Sequence, residues 1–220
     1  MFSIKNSTTA SLVIASVLGG SLASQAFVAA EPGRPHRTVN APTANVVFLS
    51  DINGQWTASI KGRADQVEVM FLHRSPKYGV RMEFETIPVA GFRGSANSKT
   101  IDFNIVREAG TFRLKGHFNK AKGSGDWDLS PAPGFIAGMR TRGYGDLSPE
   151  DLYSAAIADL RLKLVDELKS EGYGDLTFHE LFEAATFGIT PGFIRSVRAS
   201  GHPQPSFEKL VEIKIQSKSK

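Results

Sequence analysis

Residues 143–148 have the sequence Gly-Tyr-Gly-Asp-Leu-Ser, which returns as Gly-Tyr-Gly-Asp-Leu-Thr at residues 172–177. An altered third copy, Gly-His-Pro-Gln-Pro-Ser, occupies residues 201–206, so successive copies lie 29 residues apart. The same spacing aligns apolar columns on both sides of this turn: Phe135, Leu164 and Phe193; Ile136, Val165 and Ile194; Met139, Leu168 and Val197; and Leu152, Leu181 and Leu210. Agreement over so many columns predicts an internal repeat.

Each copy carries the signals of a helix, a tight turn and a second helix. Apolar residues at i, i+1 and i+4 before the turn have helical spacing. The glycine that opens the turn is typical of the left-handed residue that closes a helix, because it has no Cβ to clash. After the turn, Ser148 precedes Pro149 as a helix cap, and Thr177 precedes Glu180 as in a capping box. We therefore predict three helix-turn-helix repeats over residues 131–216, stacked on one another.

The chain before the repeats alternates apolar and polar residues over short runs, as is typical of half-buried β-strands. Six runs show this alternation: 56–60, 67–71, 80–84, 101–105, 112–118 and 127–129. Each run can present one apolar face, and in the third run that face consists of Val80, Met82 and Phe84. We predict an α+β protein whose antiparallel β meander, residues 45–130, curls into a small barrel or a two-layer sandwich. Hairpins are expected at 108–110 and 119–125, and a longer loop at 88–99.

Residues 1–30 have the features of a secretory signal peptide. Lys5 supplies a positive charge, and an uncharged run rich in Ala, Ser, Val and Leu extends from Ala10 to Ala30. Small residues predict cleavage after Ala26 or Ala30. An uncleaved membrane anchor is the alternative, which the glycines and serines of this run disfavour. We expect an exported bacterial protein, located in the periplasm or outside the cell, with no stable membrane span once the signal is removed.

Composition supports the same compartment. The chain contains no cysteine, so its stability does not depend on disulfides, which suits a bacterial envelope better than a small secreted animal domain. The formal net charge of +4 is spread rather than clustered, so we expect no nucleic-acid partner. Residues 31–44 combine prolines and charges without periodicity and are predicted to be a linker. Residues 217–220 form a basic tail.

No complete catalytic or metal-binding motif occurs in the sequence. His179 and Glu180 begin like a zinc-peptidase helix motif, but Glu183 stands where the second histidine is needed. There is no Gly-x-Ser-x-Gly elbow and no thiol nucleophile. We therefore predict no catalytic residue, no cofactor and no metal. An enzyme of unrecognised type is the alternative, which a cleft with two titratable groups in contact would support.

Several stretches resemble a bacterial repeat: Phe-Gly-Ile-Thr-Pro-Gly-Phe-Ile-Arg at 187–195, the Gly-Tyr turns, and Lys-Leu-Val-Glu-Ile-Lys-Ile at 209–215. This repeat is found in uncharacterised exported proteins. It also follows the peptidase domain in some BlaR-type sensor metallopeptidases, after a β region similar to residues 109–112 and 123–127. The resemblance covers most of residues 54–215 and implies fold and export. It implies no catalytic residue, because the peptidase domain and its zinc helix have no counterpart in this sequence.

The leading functional hypothesis is a non-catalytic exported module that binds another envelope protein or a peptide, with a role in signalling as one option. Repeat arrays form extended binding surfaces, which motivates this choice. Three residues at the second position of the turn are candidates for the partner surface: Tyr144, Tyr173 and His202. The histidine copy is also interpreted as a terminal cap of the array.

A second hypothesis places a small apolar ligand inside the β barrel. Five aromatic residues are the candidate lining of such a cavity: Trp56, Phe71, Phe84, Phe103 and Phe112. The hypothesis fails if these side chains fill the space themselves.

Overall fold

The computed structural model describes residues 52–60, 66–88, 100–119 and 121–218, which form six strands followed by six helices. The strands are β1 Ile52–Ser59, β2 Gln66–Ser75, β3 Gly79–Pro88, β4 Thr100–Val106, β5 Gly110–Asn119 and β6 Lys122–Pro131. The helices are α1 Pro133–Thr141, α2 Pro149–Ile157, α3 Leu162–Ser170, α4 Phe178–Phe187, α5 Pro191–Ala199 and α6 Phe207–Lys218. The predicted α+β class is confirmed. The predicted signal peptide, the linker and residues 89–99 lie outside the described residues.

The six strands form one antiparallel sheet in the order β3-β2-β1-β6-β5-β4. Both predicted hairpins occur, although the second turn is tighter than expected because β6 already begins at Lys122. In β1, β2, β4, β5 and β6 the inward face carries the predicted apolar residues. Alternation of burial along these strands therefore follows the sequence pattern.

Glycines on the inward face make room for Trp56. This side chain lies over β5 and β6, where its indole Nε1 donates hydrogen bonds to the carbonyl oxygens of Lys115 and Asp126 at 3.1 and 3.2 Å. A Cβ at Gly116 would come within 2.8 Å of the indole ring, and one at Gly123 within 3.1 Å. The ring can approach the backbone this closely only because these positions have no side chain.

Strand β3 is turned opposite to the prediction. Its register pairs Phe71 with Glu83, so Glu83 shares the inward face of the sheet and is only 4% exposed. The predicted inward residues face outward: Val80, Met82 and Phe84. The prediction was wrong because charged side chains occupy the inward positions of β3 and find buried partners there, which a period-two pattern does not reveal.

The two ends of the sheet approach each other at one point. Glu85, on the inward face of β3, forms a buried ion pair with Arg107, which follows β4. Burial lowers the pKa of Arg107. Because β3 and β4 are the outermost strands in the sheet order, this contact requires the sheet to be strongly curved.

Helix α2 joins the sheet to the other helices. Residues 152–157 are all buried, since α2 contacts β1 and β5 on one side and α4 on another. A helix buried on all sides needs apolar or partnered residues around its whole circumference, and alanines at 155 and 156 meet this need. A single continuous core therefore extends from the sheet into the helices.

The helices keep the 29-residue spacing of the sequence. Helices α1, α3 and α5 begin at Pro133, Leu162 and Pro191, and α2, α4 and α6 begin at Pro149, Phe178 and Phe207. Three glycines have the predicted left-handed conformation, with φ of 98°, 92° and 104°: Gly143, Gly172 and Gly201. The capping box of Thr177 with Glu180 is confirmed, and Ser148 forms another with Asp151. Helix α1 contacts α3, α2 contacts α4, and α4 contacts α6.

Candidate functional site

The candidate tyrosines connect consecutive turns of the helical region. The hydroxyl of Tyr144 donates a hydrogen bond of 2.7 Å to the carbonyl oxygen of Leu176. One repeat later, the hydroxyl of Tyr173 donates an equally long bond to the carbonyl oxygen of Pro205. Both rings are half-buried, whereas His202 at the third position is exposed. The tyrosine hydroxyls therefore serve contacts within the chain, and of the three candidates only His202 is fully exposed.

Two ion pairs occupy equivalent positions with their charges exchanged. Arg142 pairs with Asp166 at 2.6 Å, and this hydrogen-bonded contact lowers the pKa of Asp166. A step of 29 residues leads to Glu171 and Arg195, which pair at 2.5 Å. If one helix-turn-helix unit were shifted onto the place of the next, residues of like charge would face each other in these pairs. The exchanged charges therefore disfavour this misalignment. A cleft of about 320 Å³ lies beside the first pair and both tyrosines.

Most of the candidate cavity lining packs tightly within the protein. Trp56, Phe71 and Phe112 are buried, and the ring centroids of Phe71 and Phe112 lie 5.3 Å apart. Trp127 lies 5.5 Å from Phe112 and stacks on Tyr153 of α2 at 5.4 Å. These rings and α2 occupy the concave side of the sheet.

The two other residues of the predicted lining are placed differently. Phe103 is half-buried and packs at the edge of this core. Phe84 lies directly across from Met70 on the opposite face of the sheet, so its assignment to the cavity was wrong. The reason is the inverted orientation of β3, which brings Glu83 rather than Phe84 to the side of Phe71.

A buried polar cluster lies where β2 and β3 meet α2. We define the polar cluster as six side chains, three from the sheet and three from the helix: His73, Arg81, Glu83, Glu150, Tyr153 and Ser154. The sequence pattern did not predict this cluster, although it contains one signal of it. Charged residues at 81, 83 and 85 alternate in the phase opposite to the apolar residues of the same strand.

Glu83 receives hydrogen bonds at both carboxylate oxygens. The guanidinium of Arg81 binds Oε1 through Nε and Nη2, each at 2.9 Å, and the hydroxyl of Tyr153 donates to Oε2 at 2.6 Å. Arg81 also donates to the hydroxyl of Ser154 at 2.9 Å. A buried carboxylate is tolerated when it is paired and fully hydrogen-bonded in this way. These bonds connect β3 to α2.

His73 connects β2 to α2 through contacts at both ring nitrogens. Its Nδ1 lies 2.9 Å from the carbonyl oxygen of Asn53, and its Nε2 lies 3.1 Å from Oε1 of Glu150. A carbonyl oxygen and a carboxylate oxygen both accept, so both contacts require a proton on each ring nitrogen or a proton on Glu150. The pair is largely buried between the sheet and α2. Most polar atoms of the cluster bind one another or Asn53, whereas Oε2 of Glu150 is buried without a hydrogen-bond partner among the described residues, 3.9 Å from Arg81. These contacts hold β2 and β3 against α2.

Tyr153 makes folding stability sensitive to alkaline pH. Burial, followed by the charge of Glu83, raises the pKa of Tyr153 well above its ordinary value. Above about pH 10 the unfolded chain loses a proton that the folded chain keeps, so the free energy of unfolding should fall as pH rises. In Tyr153→Phe this part of the fall should be absent, as measured by urea unfolding between about pH 9 and about pH 11. Exposed Tyr78→Phe is the control, and equal slopes in Tyr153→Phe and wild type would contradict the assignment.

An apolar surface lies on the opposite side of the sheet. We define the outer patch as five outward residues of β2 and β3: Met70, Leu72, Val80, Met82 and Phe84. The register places Met70 beside Phe84 and Leu72 beside Met82, so the patch is continuous across both strands. Val80 and Met82 are 54% and 53% exposed.

None of the helices in the described ranges is long and apolar enough to cross a membrane. No group of three or more His, Asp or Glu side chains in the same ranges is arranged to hold a metal ion. Comparison of the chain with protein-family models, with curated proteins and with solved structures found no match.

Proposed function

We propose that this protein is a non-catalytic exported module that binds a protein or peptide in the bacterial envelope. The outer patch is the observation that carries this proposal. Val80 and Met82 are large apolar side chains that remain half exposed on a strand at the end of the sheet. Proteins usually cover or charge such strands, because they invite association with other chains. A site that breaks the local rule is a good candidate for a functional surface.

The orientation of β3 gives further support. Turning the strand over would bury Val80 and Met82 and expose Arg81 and Glu83, as the hydrophobic pattern favours. The protein instead buries these charges, which requires the whole polar cluster to satisfy them. Burying these charges costs desolvation free energy. We take this cost as support for a strand whose apolar face binds another molecule.

The helical region serves as the scaffold in this proposal. We assign it three copies of the 29-residue unit, supported by the helix spacing and by the two equivalent tyrosine bonds. We also assign the sheet a barrel-like curvature around α2, supported by the contact between Glu85 and Arg107. Export and a place in the envelope rest on the signal-like residues 1–30.

The test begins with the mature protein from residue 31, isolated with bound partner from its own envelope and identified by native mass spectrometry. Binding of the purified partner is then compared between wild type and Val80→Ser/Met82→Ser. The double variant should bind at least roughly tenfold more weakly, because two apolar anchors are lost. Val106→Ser is the matched control, since Val106 is 71% exposed on β4 at the other end of the sheet. Equal affinity in the double variant and the control would refute the outer patch as the binding surface.

A further inference from the structure

We propose that the outer patch binds an amphipathic segment of another protein that carries acidic side chains at one end. This inference rests on the proposed function and adds the chemistry of the partner. The apolar face of the segment covers the outer patch. Its acidic end lies beside Arg74 and Lys77, where the β2–β3 hairpin turns.

The size of the outer patch fits one short segment. Two neighbouring strands present a strip about 10 Å wide, and the span from Val80 to Phe84 is about 13 Å. A helix is about 10–12 Å in diameter, so about two of its turns, or a single strand, would cover this strip. Methionine supplies two of its five residues, and flexible thioether side chains adapt to the shape of a partner. Gln55 and Thr57 of β1 face the same side and limit the apolar area.

Basic residues at one end of the outer patch favour one orientation of the bound segment. Arg74 lies directly across from Val80, and Lys77 follows in the turn. Both side chains are exposed. Within the described part of the chain Arg74 forms no ion pair, whereas Lys77 lies 4.9 Å over the ring of Tyr78 and is also attracted by Asp151 and Glu150 of α2. Glu68 lies at the other end of the strip, across from Thr86. A partner with acidic residues at one end is therefore attracted most strongly in the orientation that places that end beside Arg74 and Lys77.

The same features argue against a lipid surface as the occupant. An anionic bilayer presents negative charge over a wide plane rather than at one end of a segment. The apolar strip is only two strands wide and is bordered by neutral polar residues. A bilayer favours a larger apolar face with basic residues throughout its polar border.

The experiment measures fluorescence anisotropy with labelled amphipathic peptides that share one apolar face and differ only in their charged end. One peptide ends in glutamates, a second ends in lysines, and a third has the acidic sequence scrambled. The glutamate peptide should bind the mature protein best. The Arg74→Glu/Lys77→Glu variant should weaken that binding at least roughly tenfold and should strengthen binding of the lysine peptide. Lys115→Glu, a charge reversal of an exposed lysine on β5, should change neither affinity.

Other occupants of the outer patch give different results. Equal binding of the glutamate and lysine peptides, or binding of vesicles with anionic lipids in place of peptides, would overturn the proposal. A dimer of the mature protein that Met82→Ser dissociates would assign the patch to a second copy. Peptide binding that appears only after residues 31–51 are deleted would assign it to the chain's own N-terminal segment. If the natural partner loses affinity in Val80→Ser/Met82→Ser but not in the charge-reversed variant, the proposed function stands and this inference fails.

Discussion

Alanine at Gly125 should destabilise the protein by about 3 kcal/mol or more, since overpacking that backbone atoms cannot relieve is at the upper end of such costs. A Cβ at this position would overlap the carbonyl oxygen of Lys115 and lie 2.6 Å from the Cα of Gly116. Both atoms belong to the backbone of β5, so no side-chain rotation can make room. Strands β5 and β6 would have to separate, and the bond from Trp56 to Lys115 would be lost with them. Urea unfolding of wild type and Gly125→Ala measures the difference.

The matched control is Ser124→Ala, one position earlier on the same strand. Ser124 is exposed and faces away from the core, so its replacement should change the free energy of unfolding by no more than about 0.5 kcal/mol. Equal stability of Gly125→Ala and Ser124→Ala would contradict this prediction. It would mean that β5 and β6 lie far enough apart at Gly125 to admit a methyl group.

Features set by local chemistry were predictable from the sequence. A left-handed glycine, a serine before a proline and a threonine three residues before a glutamate each act within one turn of chain. Gly143, Ser148 and Thr177 consequently have the predicted conformations and caps. Five strands also expose and bury the predicted faces, because one side of each lies against the core.

Features set by distant partners were not predictable in the same way. The orientation of β3 depends on whether Arg81 and Glu83 can be satisfied inside the protein. Their partners, Tyr153 and Ser154, lie about seventy positions further along the chain. A pattern with a period of two compares hydrophobicity only within the strand, and it favours the face with the three large apolar residues Val80, Met82 and Phe84.

The same limit applies to the candidate sites. Their position in the turn makes Tyr144 and Tyr173 candidates for the partner surface, yet each hydroxyl reaches a carbonyl oxygen 32 residues away. The outer patch appears only when the register of β2 and β3 is known, since Met70 and Phe84 are not close in sequence. Strand β3 has apolar residues in one phase and mainly charged residues in the other. Either phase can face the core, provided that buried charges find partners there.

Arg81→Met should cost about 3–5 kcal/mol, because it leaves the buried carboxylate of Glu83 without its cation. Glu83 is 4% exposed and cannot turn to solvent without pulling β3 away from α2. Arg113→Met is the matched control, since Arg113 also binds a carboxylate, that of Asp102, through Nε and Nη2, but both side chains are exposed. Exposed pairs contribute little, so this control should unfold at nearly the wild-type urea concentration.

The double variant Arg81→Met/Glu83→Gln separates loss of the cation from loss of packing. Its amide oxygen still accepts the bond from Tyr153, and no unpaired charge is left on β3, so the cost should fall to roughly 1–2 kcal/mol. If stability recovers when Glu83 is replaced as well, the buried charge of Glu83 needs Arg81 as its partner. A double-mutant cycle measures this coupling free energy directly. Recovery should stay incomplete, because Ser154 also loses its donor and Glu150 its cationic neighbour at 3.9 Å. A double variant less stable than Arg81→Met alone would instead mean that Glu83 stabilises β3 without needing Arg81, and the polar cluster would no longer explain the inverted strand.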